Sequence, residues 1–279
     1  MVTLMRRFPT TAFFLAAYAL TWSVWVPRAL AQRGPLDWRW PVAAGQVWSY
    51  GPALAAVVVT AAVAGRPGLR RLGGALARWR VGWRWWTIVL LGPFALSGCA
   101  VALHASLTGQ TARWPVARPA ELLVYPVLIL ILALTDGLGE EVGWRGCALF
   151  WLLRRRGAAA ASIILAILWA VWHLPLFWTD RAPLEGRPFP LLMLALIPTS
   201  ILFTWVYRHT GSSVLVAIVL HATHNLAGPP LPRADESLLT PFVLAVSLKW
   251  ALATVVLLAE SRRPQAERIV HPPAEEVPA

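Results

Sequence analysis

From Glu121 to Trp151 the chain stays largely apolar before Arg154, Arg155 and Arg156 stop it. That run is far longer than the roughly twenty residues a straight membrane crossing needs. Inside it lies "DGLGEEVGWRG", Asp136 to Gly146, with three carboxylates and an arginine. A charge at the bilayer centre costs about 2.5 to 3.5 kcal/mol on insertion scales, so such a cluster must be packed inside a helical bundle and calls for a functional reason. Pro126 and the glycines Gly137, Gly139, Gly143 and Gly146 supply places to bend and small faces for a neighbouring helix.

The rest of the sequence agrees with a membrane setting. Of the 279 residues, 58% are hydrophobic and 14% charged, against about 25% charged in soluble chains. The reading is an all-α polytopic membrane protein with about eight transmembrane helices: 9–27, 48–65, 85–106, 121–153, 157–178, 188–207, 211–228 and 239–259. A net charge of +12 would suggest nucleic acid in a soluble chain, but these arginines fall in loops between apolar runs, which argues against a nucleic-acid partner and for the lipid bilayer. With the N-terminus inside, fifteen loop arginines face the cytoplasm and eight face out, which places both termini in the cytoplasm.

The N-terminal "MRR", its apolar run and "ALA" mimic a signal peptide, yet the run from Phe8 to Val26 exceeds the usual core of about 7 to 15 residues and is read as a retained span. The 17 tryptophans cluster near span ends, as an interfacial belt would place them: Trp22, Trp25, Trp48, Trp83, Trp85, Trp86, Trp114, Trp178 and Trp205. Residues 65–86 read as a basic, tryptophan-rich interfacial segment, and 261–279 as a disordered cytoplasmic tail. The organisation is thus 1–120 with three helices and a basic loop, a core at 121–228, a last helix within 229–260, and the tail. Cys99 and Cys147 form no disulfide framework or zinc ribbon.

Helical rise places the rare polar residues at one level. Counted from the cytoplasmic boundary, Glu140 lies at ~21 Å, His173 at ~24 Å, His221 at ~15 Å and Asn225 at ~21 Å. Glu141 and Arg145 are four apart and share a helix face, as do His221 and Asn225. Glu140 is rotated about 100° from Glu141 and faces another partner. This gives one working and one clamped carboxylate. Other polar residues have blander readings: His224 as structural, although with His221 it formally makes a zinc pair; Asp136 and Lys249 as a buried ion pair; and His104, His209 and His271 as solvated.

At these residues the sequence resembles the CPBP family of intramembrane proteases, also called the Abi or CAAX-protease-like family. Its three motifs stand here as "EEVGWR" (Glu140 to Arg145), "WAVWH" (Trp169 to His173) and "HATHN" (His221 to Asn225). The second motif more often begins with Phe, so Trp169 is a small departure, expected to pack as an apolar aromatic. The resemblance implies peptide-bond hydrolysis in the membrane, with Glu140 and His173 activating water, His221 and Asn225 donating to the oxyanion, and Glu141 with Arg145 holding the helix in register. It leaves open both a metal-free mechanism and a zinc ion held by Glu140, His173 and His221. A HExxH helix is absent, which excludes the ordinary zincin arrangement.

The expected function is an intramembrane endopeptidase acting on a membrane-anchored peptide or protein. A catalytically silent scaffold or bacteriocin-immunity factor, and a proton-coupled transporter using Glu140 and His173, are the alternatives. No internal repeat supports the transporter. Arginine-rich, lysine-poor usage points to a GC-rich bacterium, hence to a bacterial cytoplasmic membrane and away from a prenylated substrate.

Overall fold

The computed structural model describes residues 2–34, 48–110, 119–179, 184–230, 232, 236–237 and 239–262. Among them every regular element is helical. The apolar helices are α1 (Pro9–Gln32), α2 (Gly51–Leu76), α3 (Trp83–Thr108), α4 (Leu122–Leu153), α5 (Ala158–Trp172), α6 (Phe189–His209), α7 (Val214–Ala227) and α8 (Pro241–Ser261). Seven are long and apolar enough to cross a membrane, α5 together with the tight turn that extends it to Trp178. The eighth, α7, has 14 residues, about 21 Å of rise against a hydrocarbon core of about 30 Å.

Local sequence explains why α7 is short. Gly211 and Ser212 both take left-handed backbone angles, turning the chain sharply out of α6. Ser213 then caps α7, its Oγ accepting from the Val216 N–H at 3.1 Å and donating to the Arg78 carbonyl at 2.6 Å. Gly228, Pro229 and Pro230 end it.

The long α4 keeps its polar centre by changing pitch twice. Widened turns at Ala133–Gly137 and Trp144–Leu149 flank the regular α-helical stretch Leu138–Gly143 that carries the glutamate pair. Such turns are concentrated at functional sites in helical proteins. The glycines then allow neighbours to close in. A Cβ on Gly139 would lie 2.7 Å from the Ser49 carbonyl oxygen, one on Gly143 would lie 2.5 Å from Pro52 Cβ, and one on Gly137 would lie 2.8 Å from the Ile218 carbonyl oxygen. The start of α2 therefore grips one side of α4 while α7 lies on another, and α1 covers α2.

α2 breaks at Gly65, whose φ of 58° only glycine adopts easily, with Pro67 two residues further on. Beyond the break Gly68, Leu72 and Ala75 bury one face, while Arg71 stacks over the Phe150 ring at 3.6 Å and donates to the Gly146 carbonyl at 3.1 Å. The basic segment expected at an interface is thus docked on the end of α4. Large apolar side chains exposed along α4 and α8, including Leu123, Leu130, Val255 and Leu258, form the surface that lipid would cover.

The tryptophan belt is only partly realised. Trp83 is 73% exposed and Trp178 is 47% exposed, but Trp25 is 1% exposed and packs on Trp172 at 4.5 Å, inside the core. Trp22 donates to the Trp172 carbonyl, and Trp85 packs against Trp205 at 4.9 Å. Trp114 and the tail beyond residue 262 lie outside the described residues.

The glycine contacts generate a paired test. Gly143→Ala should destabilise the folded protein by about 1 to 3 kcal/mol, because the added methyl meets Pro52 backbone as well as its ring. Gly74→Ala, with nothing within 4 Å, should be neutral or stabilising by up to about 1 kcal/mol. Denaturant unfolding in detergent, followed by tryptophan fluorescence, checks both.

Candidate active site

α4 and α7 run antiparallel, and their polar residues meet at four-residue steps. Asn225 Nδ2 donates to Asp136 Oδ2 at 3.5 Å. One turn further along α4 and one turn back along α7, His221 Nε2 stands 4.0 Å from Glu140 Oε1 while its Nδ1 bonds Glu141 Oε1 at 2.7 Å. Arg145 Nη1 bonds that same Glu141 oxygen at 2.7 Å, both side chains fully buried. Exposure falls along this line: Asn225 is exposed, Asp136 half-buried, Glu140 5% exposed, and Glu141 and Arg145 wholly enclosed.

The expected clamped carboxylate is therefore Glu141, held by Arg145 as the i, i+4 spacing predicts and additionally by His221. Arg145 lies over two rings, Trp169 at 4.8 Å and Phe203 at 4.7 Å, which offset part of the cost of burying its charge.

Glu140 is held by two indoles. Trp144 Nε1 and Trp169 Nε1 both donate to Glu140 Oε2, at 3.1 and 2.7 Å. The expectation that Trp169 merely packs is corrected: an indole has an N–H that phenylalanine lacks, and a buried indole needs an acceptor. Trp144 is fixed by Phe13 at 5.7 Å, Phe14 at 5.9 Å and Trp172 at 5.5 Å. Its donor role was accessible in principle, since Glu140 and Trp144 are four apart on one helix. With Oε2 taken by the two indoles, Oε1 is the oxygen that faces His221.

His173 ends α5 half-buried, its Nδ1 bonded to the Trp169 carbonyl at 2.9 Å, its ring edge-on to Trp172 at 4.8 Å. Trp169, one turn earlier, is the α5 residue that touches Glu140.

The donor geometry does not fit the zinc set Glu140, His173 and His221. No group of three or more His, Cys, Asp or Glu side chains among the described residues is arranged to hold a metal ion. Glu140 Oε2 is occupied by indoles, and His221 Nδ1 by Glu141. The formal His221 and His224 pair diverges too, because His224 Nε2 turns to Lys249 Nζ at 3.2 Å. Lys249 also donates to Thr199 Oγ1 at 3.2 Å, so its partners are His224 and Thr199 rather than the expected Asp136. His104 and His209, expected to be solvated, bond the Leu239 and Trp205 carbonyls, and His209 Nε2 lies 3.4 Å from Glu260. His271 lies outside the described residues.

Residues 122–227 match the model of a family described as type II CAAX prenyl endopeptidase, Rce1-like. The chain is also 32% identical over 109 residues to CAAX prenyl protease 2 of Methanococcus maripaludis. This segment is similar to CAAX proteases. The matched stretch contains all three motifs, so the resemblance seen in them holds there. The alignment spans 36% of this chain and 39% of that relative, well under half the length of either.

Burial of the Glu141–Arg145 pair predicts strong coupling. Arg145→Met should cost about 3 to 5 kcal/mol of stability by stranding a buried carboxylate. Adding Glu141→Gln to the same chain should return a large part of that loss, read from the unfolding midpoints of the three proteins.

Proposed function

We propose that the protein is an intramembrane endopeptidase that hydrolyses a peptide bond of a membrane-associated protein or peptide. The observation that carries this reading is the state of Glu140: a buried carboxylate with one oxygen pinned by two indoles and the other aimed at His221 Nε2, in a segment that matches a protease family. A general base must be positioned before its basicity matters, and this arrangement supplies the position.

In the proposed mechanism Glu140 Oε1 takes a proton from water as the water attacks the scissile carbonyl. Asn225 Nδ2, at the exposed end of the site, donates to the oxyanion, and so does His221 Nε2, four residues away on the same face, with His221 in the imidazolium form because its Nδ1–H is given to Glu141. Glu141 fixes the His221 ring through Nδ1 and is itself fixed by Arg145. The proton taken by Glu140 then goes to the leaving amine, with His173 assigned to carry it, which returns Glu140 to its carboxylate form. No step is routed through a metal, because no group of three or more His, Cys, Asp or Glu side chains among the described residues is arranged to hold one.

The curated relative is named a CAAX prenyl protease, so prenylated CAAX peptides belong in the substrate panel beside peptides on other membrane anchors. Purified wild type should cleave at least one of these, and Glu140→Gln, which keeps an acceptor for both indoles, should lower the rate about 10² to 10⁴-fold. Cleavage at equal rates by both proteins, or by neither while both stay folded, would overturn the reading.

A second outcome tests the metal-free form. Dialysis against a strong chelator should leave the rate within twofold and the purified protein below 0.1 zinc per chain, a threshold set at about a tenth of full occupancy of one catalytic site. Elemental analysis on the assayed samples checks it.

A further inference from the structure

Lys249 on α8 and His224 on α7 are used by no step above, yet they form a bonded path into the site. Lys249 Nζ meets His224 Nε2 at 3.2 Å; His224 Nδ1 meets Asn225 Oδ1 at 3.5 Å; Asn225 Nδ2 points on to Asp136 at 3.5 Å. The direction of every bond follows from one end. A lysine ammonium has only donors, so His224 Nε2 must accept. A neutral imidazole that accepts at Nε2 carries its proton on Nδ1, which must then donate. Asn225 therefore presents its carbonyl oxygen to His224 and its NH₂ to the site.

The surroundings favour a fixed path. Lys249 is 9% exposed and has Thr199 Oγ1 as its other partner. The Phe203 ring stands edge-on to His224 at 5.7 Å, holding the imidazole plane. Lys249 and His224 line a cavity of about 210 Å³ whose other walls, among them Leu96, Leu202, Leu220 and Leu252, are almost wholly apolar. In such low-dielectric surroundings a hydrogen bond is stronger and a reversed one is penalised more.

We propose that Lys249 is a positioning residue: acting through the tautomer of His224, it sets the amide of Asn225 so that the NH₂, not the carbonyl, faces the reacting carbonyl. This deepens the peptidase reading and rests on it for its kinetic arm. A spectroscopic arm stands without it.

The spectroscopic arm uses full-length protein with ¹⁵N-labelled histidine in detergent, the His224 signals being those missing from His224→Phe. Wild-type His224 should carry its proton on Nδ1, and Lys249→Met should reduce that form. A proton on Nε2 in wild type, or the same spectrum in Lys249→Met, overturns the proposal. The wild-type tautomer decides this arm even where the lysine variant does not fold.

The kinetic arm uses whichever anchored peptide the wild type cleaves. Losing an oxyanion donor outright lowers kcat about 10² to 10³-fold, so losing only its orientation should lower kcat about tenfold with KM within twofold. Lys249→Met and His224→Phe should each show this, and the double variant no more than either, because they interrupt one path. Unchanged kcat in either folded variant, a loss confined to KM, or losses that multiply would overturn it. A wild type that cleaves nothing but shows the Nδ1 proton would sink the peptidase reading and leave the relay supported.

Discussion

Two adjacent carboxylates on an otherwise apolar helix set the terms for the rest of the bundle. Glu140 and Glu141 must leave water, and each buried charge or acceptor must find donors or carry a penalty of several kcal/mol. Being neighbours, they point about 100° apart and cannot share one set. The fold answers with two sets. Glu141 receives Arg145 and His221, while Glu140 receives Trp144 and Trp169 and faces the remaining nitrogen of His221. Donors thus come from α4, α5 and α7, which fixes the rotation of all three helices about a common point.

Such contacts are short, and only small side chains on α4 let its neighbours come near enough. The glycines perform this at the level of backbone, with Ser49, Pro52 and Ile218 seated where a Cβ would stand. The widened turns on either side of Leu138–Gly143 adjust the direction of the glutamates without breaking the helix. Packing and chemistry are then one constraint: whatever opens the α2–α4 or α4–α7 contact also shifts the carboxylates.

Hydropathy and segment length were enough to read the eight apolar helices, although α7 is shorter than a full span, while the basic segment after Gly65, expected at an interface, docks on the end of α4. The Glu141–Arg145 bond followed from i, i+4 spacing alone. What escaped was set by rotation between helices, which periodicity on one helix does not encode. Lys249 was paired with Asp136 because opposite charges in lipid seek each other, yet the packing of α8 on α6 and α3 turns it to Thr199 and His224. The tryptophans misled for a related reason. Their position near span ends suits an interface, but Trp25 faces inward and packs on Trp172 with its ring tilted, and only the packing of α1 decides that.

Trp169 shows how a change of one motif residue alters a site without removing anything from it. Phenylalanine, the more frequent residue there, fills space and leaves Glu140 Oε2 to other donors. An indole fills similar space and brings an N–H to 2.7 Å from that oxygen. The same ring lies over Arg145 and beside His221 at 5.7 Å, so one side chain from α5 reaches Glu140, the clamping cation and the imidazole between them. In this chain α5 therefore bears on Glu140 by a hydrogen bond as well as by packing, and the freedom of the carboxylate to swing between its two oxygens is removed. A base held in one orientation loses less entropy on reaching its reactive geometry, at the cost of the adaptability a looser carboxylate would keep.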